Sequence, residues 1–484
     1  MYVVFSSELI NLTFLIFNTH LSQNQGMATP SGKRKNKRIL WWTTTILLAV
    51  MTYGAFTINS LLPIVTGYPA KYLCSAVFIS NRKQADVEAL DLYFSLLKYT
   101  HNKVNFQDST VTSSFLWKKS KAIYRKGFGS TLLRDTDETT LRKLKFPALE
   151  SIKYNQDTVA WPMGNLLPDM NTGIDKVKLA EITKKLIQDN GYGGNAFALI
   201  VLHKGIPVAE SYKPEFNLKT RFQSWSMAKS FTNALVGIMV NEGRLNILKP
   251  VDINEWQNDD RRQITLNNLM QMQSGLQWNE DYGTRSDVTA MLYCEYDFAR
   301  YTFNRLLGSP AGSAWMYSSG SANVISYIMR KTFNNDAQYY SFADTALFHK
   351  IGISDAVFEV DPSGTLVGSS YLYATARDYA RFGLLYLRDG IFNGERILPE
   401  GWVKYTTTPA THSKGLYGSL FWVNSTKYYP SAPSDMYSCN GHEGQRIFII
   451  PSKELVAVVL GYSPKPHHVM NFDALLADIL KTLP

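Results

Sequence analysis

The chain has 484 residues, 45% of them hydrophobic and 19% charged, a balance that supports a large buried core and excludes wholesale disorder. Its formal charge of +10 describes no basic nucleic-acid surface: Lys33, Arg34, Lys35, Lys37 and Arg38 against Glu8 account for +4 of it, and the rest is spread thinly. Cys74, Cys294 and Cys439 lie far apart, which excludes a disulfide framework and zinc-ligand spacing and leaves one pair possible in an exported domain; neither a metal nor a cofactor is expected.

The first element is apolar. "GKRKNKR" precedes a run that carries no charge from Ile39 through Val65. Roughly 20 apolar residues span a bilayer, and flanking Lys and Arg stay in the cytoplasm. Residues 39–62 are therefore expected to form an uncleaved, single-pass anchor in the inner (cytoplasmic) membrane. Residues 1–38 then face the cytoplasm, and the bulk of the chain faces the periplasm or the exterior. A cleaved signal would have an apolar core of roughly 7–15 residues ending in small residues, which "PIVTGYPAKY" does not offer. A core helix is the other structure such a run satisfies. Met27 is an ordinary start for an anchor of this kind, so residues 1–26 read as a misannotated upstream start.

Residues 63–170 mix short apolar runs with turn formers, form an extension or linker and carry no legible motif; "VAWPMGN" (159–165) reads as a packed aromatic-proline turn. Regular patterns begin near residue 171, where the catalytic domain (171–484) is expected to start. "KVKLAEITKKLIQ" (176–188) has helical periodicity, and 197–212 reads as two strands around Lys204-Gly205. A helix carrying Lys229 follows. Between 250 and 400 helical patterns dominate, among them Ser369–Gly390, where apolar residues recur at helical spacing up to a terminating glycine. A hairpin over 445–462, turning at Pro451–Glu454, and an amphipathic helix at "MNFDALLADILKTL" end the chain. Strands at both ends with helices between them imply an α+β fold, in which both ends of the domain complete one antiparallel sheet around an inserted, mostly helical subdomain.

The α/β-hydrolase elbow, the H-E-x-x-H zinc motif and the Walker loop are missing from the sequence. "GYGGNA" (191–196) precedes a strand instead of opening a helix, so it reads as a turn and not as a dinucleotide site. His467-His468 reads as a solvated turn. The chemistry centres on "FQSWSMAKSFTNALVG", where Ser226 and Lys229 stand one helical turn apart and share a face. Two arrangements satisfy this spacing: a capping serine beside a solvated lysine, or a nucleophile beside its base. The second gains from position, since a helix start favours negative charge on Ser226 Oγ and burial would keep the Lys229 amine neutral. "WMYSSGSANVISYIM" puts the Tyr317 phenol at another helix start, suited to proton relay. "NGHEGQRIFII" puts a glycine and backbone N–H groups at the edge of the terminal hairpin, suited to an oxyanion hole. The aromatics of "QWNEDYG" (277–283) either line a cleft or pack.

With "NLMQMQSGLQWNEDYG" and "YATARDYARFGLLYLRDG", these stretches fall in an order that resembles the serine β-lactamase and penicillin-binding-protein superfamily. The closest likeness is to its class C-like branch of esterases, D-amino-acid peptidases and nylon-oligomer hydrolases, and it covers roughly 170–484. The resemblance implies a β-lactamase/DD-peptidase-like fold and a membrane-anchored serine hydrolase that cleaves a small ester or amide through an acyl-enzyme. Ser226 would be the nucleophile, Lys229 the general base and Tyr317 the proton shuttle of a Y-x-N element. The backbone N–H groups of Ser226 and Gln445 would form the oxyanion hole. Two positions depart from the family pattern. Ser319 stands where Asn is usual, with Asn323 either replacing that amide or only packing. His442-Glu443-Gly444 stands for Lys-Thr-Gly, so a fixed cation for a substrate carboxylate is lost and Glu443 would repel anions. An enzyme, a non-hydrolysing penicillin-binding sensor and a true β-lactamase or D-Ala peptidase all remain compatible with this reading; the intact Ser226, Lys229 and Tyr317 favour the enzyme.

Overall fold

The computed structural model describes residues 32–149, 152, 154–463 and 469–484; residues 1–26 and His467-His468 lie outside them. Helix α1 runs from Gly32 to Phe78. Among the described residues it is the one helix long and apolar enough to cross a membrane, over Ile39–Phe78. Its two halves meet different surroundings. From Ile39 to Asn59 nearly every side chain is exposed, whereas Leu62, Val65, Leu73 and Cys74 are buried. The helix therefore continues past Leu62 and enters the folded body.

Residues 63–170, expected as an extension, supply the surface that receives it. Strands β1 (His101–Asn105), β2 (Thr110–Phe115), β3 (Lys118–Arg125) and β4 (Gly129–Leu132) form an antiparallel meander, and α1 packs across β2, β3 and β4. Lys71 Nζ meets Glu359 Oε2 at 2.5 Å; the same carboxylate accepts from Ser75 Oγ (2.8 Å) and from the Ser130 backbone N–H (2.6 Å). A carboxylate with no exposed surface is thus satisfied from α1, β4 and its ion-pair partner together.

The body follows the expected order. Helix α2 (Lys176–Ile187) leads to β5 (Ala196–His203) and β6 (Ile206–Tyr212), then to the short β7 (Arg221–Gln223) and to α3 (Ala228–Asn241). After α4 (Asp287–Cys294), α5 (Ser319–Lys331) and β8 (Val357–Phe358), the stretch expected as one helix divides. Leu372–Thr375 is β9, paired with β7 and β8, and only Ala376–Leu387 is helix α6. Thr375 makes the break: its side chain caps α6 by accepting from the Asp378 N–H, with Asp378 returning the bond. Strands β10 (Trp422–Val423), β11 (Tyr437–Asn440), β12 (Arg446–Ile450) and β13 (Leu455–Gly461) and helix α7 (Phe472–Leu480) end the chain.

The main sheet runs β10-β11-β12-β13-β5-β6, all antiparallel, so both ends of the domain do complete it. Its central strands are apolar on both faces because both are covered. Along β5, Ala198, Ile200 and Leu202 join the core under α6, while Leu199 and Val201 join the core under α2 and α7. Helix α3 is buried on nearly every side. Its N-terminal end emerges where the sheet edge, the helical region and α1 converge, and there the chemistry collects.

Candidate active site

Strand β7 ends at Gln223, the Ser224 N–H is held by the Leu372 carbonyl at 2.8 Å, and the chain turns through Trp225 at φ 47° before α3 begins. A buried tryptophan in the left-handed region is uncommon and is tolerated where surrounding packing over-determines it. That packing includes α1: Trp225 shares a core with Ile64, Tyr68 and Leu73. Ser226 follows at once, in the first turn of the helical segment, where amides have no intrahelical acceptor.

Lys229 is 1% exposed. Its Nζ lies 3.0 Å from Ser226 Oγ, from Ser319 Oγ and from the Ser369 carbonyl. Burial brings the amine down to about 8, opposed by the Glu280 carboxylate. The partners then decide where its protons go. The Ser369 carbonyl can only accept. The Ser319 hydroxyl donates to Glu280 Oε1 at 2.5 Å, so toward Lys229 it also accepts. Protonated, the amine donates to all three; neutral, it has two N–H bonds and one lone pair, and with both N–H bonds committed the lone pair is left for Ser226.

Tyr317 reaches Ser226 from the other side. Burial together with Glu280 holds its phenol far above its usual range, opposed by a hydrogen bond with Ser226, so the phenol stays neutral. Glu280 is the group sequence reasoning missed. It accepts from Ser319 N–H (2.9 Å), Ser319 Oγ and the Trp278 indole (2.5 Å). Its stretch shows mainly aromatics, and nothing local announces that a carboxylate there faces a lysine on another helix. Ser369 was unannounced for the same reason. Asn323, the candidate replacement amide, is 1% exposed and bonds Ser369 Oγ at 3.1 Å; it packs behind the site.

The opposite wall is the β11–β12 connection. Gly441 is required there, because a Cβ would fall 2.3 Å from the Ser224 carbonyl. Its closeness seats His442 and Gly444 on the same cleft as Ser226, Glu280, Tyr317 and Arg446, a cavity of about 430 Å³. His442 stacks on Tyr282 with ring centroids 4.4 Å apart, so that aromatic lines the cleft while Trp278 packs beneath. Gln445 turns its side chain away, exchanging hydrogen bonds with the Gly461 backbone; the role expected of it is a backbone one. Glu443 departs from expectation. At φ 58° its side chain points inward, is 7% exposed and receives the Tyr68 hydroxyl at 3.5 Å. Burial pushes its carboxyl up to about 8, which favours the uncharged form near neutrality. Arg446, unremarked in the sequence, sends Nη1 to the Gly441 and Gln445 carbonyls, both at 2.8 Å, and so braces this turn.

The chain is similar to known proteins. The family model described as beta-lactamase matches residues 180–480. The 6-aminohexanoate-dimer hydrolase of Paenarthrobacter ureafaciens is 24% identical over 300 residues, covering 56% of this chain and 73% of that protein. Among solved structures, a Bacillus anthracis protein described as a candidate 6-aminohexanoate-dimer hydrolase superposes with a TM-score of 0.54 at 22% identity, over 69% of this chain and 90% of its own. EstCE1, a hydrolase with promiscuous acyltransferase activity, superposes with 0.53 at 13% identity, over 63% and 99%. Sheet order, buried helix and family match agree: this chain belongs to the beta-lactamase family and is a serine hydrolase of that fold.

Proposed function

We propose that Ser226 attacks the acyl carbon of a small ester or amide to form an acyl-enzyme. Lys229 takes the serine proton, and Tyr317 passes a proton to the leaving group. The tetrahedral oxyanion is held by the backbone N–H groups of Ser226 and Gln445 beside Gly444, and water then frees the acyl group. The observation that carries this reading is the Lys229 environment: three partners at 3.0 Å, two of which can only accept, leave the amine lone pair for Ser226 Oγ. A lysine that works as a base must be unprotonated, so turnover should climb with pH through about 8 and level off above it. Lys229→Ala should lose on the order of 10²–10⁴-fold in turnover and lose that rise as well. A profile centred near an ordinary lysine value, or one unchanged by the substitution, would remove Lys229 from the mechanism.

For substrate class, the reading favours neutral esters and amides. His442 stands where a lysine would anchor a carboxylate, and Glu280 adds a carboxylate to the cleft lining. A charge-assisted hydrogen bond is worth roughly 1.5–3 kcal/mol, so its loss should cost anionic substrates about ten- to a hundredfold. Arg446 is the observation behind a second reading, in which carboxylate-bearing β-lactams or D-Ala peptides bind. It lines the same cleft, and its buried Nε has no partner among the described residues. Turnover efficiency on a short-chain nitrophenyl ester against a chromogenic cephalosporin separates the two. The ester should be faster, and a cephalosporin rate equal or greater would favour the second reading.

Residues 39–62 are proposed as the anchor, with 1–38 in the cytoplasm and the catalytic domain, 171–484, on the exported side of the membrane. The apolar, exposed half of α1 behind a basic cluster supports this orientation.

A further inference from the structure

The turn joining β2 to β3 uses residues that a hairpin tolerates poorly. A two-residue turn favours Asn-Gly or glycine-led pairs, because positive φ is needed there. Here the pair is Leu116-Trp117, with Leu116 at φ 52° and Phe115 paired directly with Lys118. Both side chains are 62% exposed. Backbone strain and exposed apolar surface coincide in one turn, a combination that folding alone does not reward.

Its position indicates what does. The Trp117 indole donates to Asn59 Oδ1 at 3.1 Å, tying the turn to the flank of α1. The exposed stretch from Ile39 to Ile58 is roughly 30 Å long at 1.5 Å per residue, the thickness of a bilayer's hydrocarbon core. Trp41 and Trp42 mark its basic end. Trp117, from a separate part of the chain, stands level with Asn59 at the other end, so both edges of the apolar stretch carry the indoles typical of membrane interfaces. Lys118 and Lys119 follow the turn directly.

We infer that the Leu116-Trp117 turn is a second membrane contact, seated in the bilayer interface beside α1. Leu116 and the Trp117 ring lie among the upper acyl chains, and Lys118 and Lys119 lie against anionic headgroups. The inference rests on reading α1 as the anchor and adds to it. One helix alone lets a domain swivel; a second contact fixes its tilt. Tyr68, which packs with Trp225 beside the nucleophile, is about 14 Å farther along α1 than Asn59. The cleft is thereby held at a set height just above the headgroups.

The test uses the full chain in vesicles of equal parts phosphatidylcholine and phosphatidylglycerol. Cys74 and Cys439 are buried, so a Cys294→Ser background carrying Leu116→Cys takes an environment-sensitive fluorophore at one place. Leu248→Cys serves as the control, since Leu248 is exposed beyond the C-terminal end of α3, whose other end follows Trp225, the residue packed against α1. Nitroxide-bearing lipids should quench the label at 116 and leave the one at 248 bright. A labelled Lys118→Cys protein gives the same readout if the first variant folds poorly. Resistance to alkaline carbonate during flotation reports the anchor separately. Flotation with a bright, unquenched label at both 116 and 118 overturns the second contact alone; loss of flotation overturns the anchor and the contact with it.

Discussion

Ser226→Ala should abolish turnover, with a loss on the order of 10⁵-fold or more, because the nucleophile and its base act as a unit. The protein should still fold and unfold at nearly the same temperature. Lys229 keeps its Ser319 and Ser369 acceptors, and Tyr317 keeps its aromatic packing against Tyr417 and Trp422. Rate measurement beside a thermal melt separates the two effects. A helix-capping serine would give the opposite pattern, costing stability of about 1 kcal/mol and sparing the rate. Activity surviving within tenfold of the parent would move the nucleophile elsewhere.

Lys71→Met should be the most destabilising single change outside the cleft. It leaves Glu359 with no exposed surface and no counter-charge, and breaking a buried pair from one side costs about 3–5 kcal/mol. A surface pair would cost about 1 kcal/mol or less. The pH dependence has a definite sign. Burial already raises the Glu359 carboxyl above its usual value, with Lys71 opposing that shift. A group raised in the fold loses stability as pH rises through its folded value. Removing Lys71 raises it further, so the deficit should be largest at alkaline pH and shrink in mild acid. Adding Glu359→Gln should restore much of the loss. Thermal melts of the parent, Lys71→Met, Glu359→Gln and the double variant across pH, in one detergent, are the check; a deficit that is small or independent of pH would mean that this pair does not hold α1 to the body.

What was legible in the sequence was local. Ser226 and Lys229 declare themselves by spacing at a helix start, and the paired strands at 197–212 and 445–462 by apolar runs around turn residues. The α+β order and its sheet closed by both ends follow from these. The rest depends on tertiary partners. Leu372–Thr375 has the same apolar spacing as the helix after it and becomes a strand only because β7 and β8 flank it. An apolar run long enough to cross a bilayer gives no sign that α1 continues past Leu62 to support Trp225. Ser369 reaches Lys229 and Glu280 reaches Ser319 from distant segments, and Glu443 is buried only by packing that includes Tyr68 from α1.

An acyl group on Ser226 is the intermediate through which every turnover passes in the proposed mechanism. Rapid acid quench during turnover of a nitrophenyl ester, followed by peptide mass mapping, tests it most directly. The predicted result is the mass of the acyl group on the peptide containing Ser226, formed in step with a burst of nitrophenol. Steady turnover with that peptide unmodified, or with the acyl group on another residue, would contradict the account.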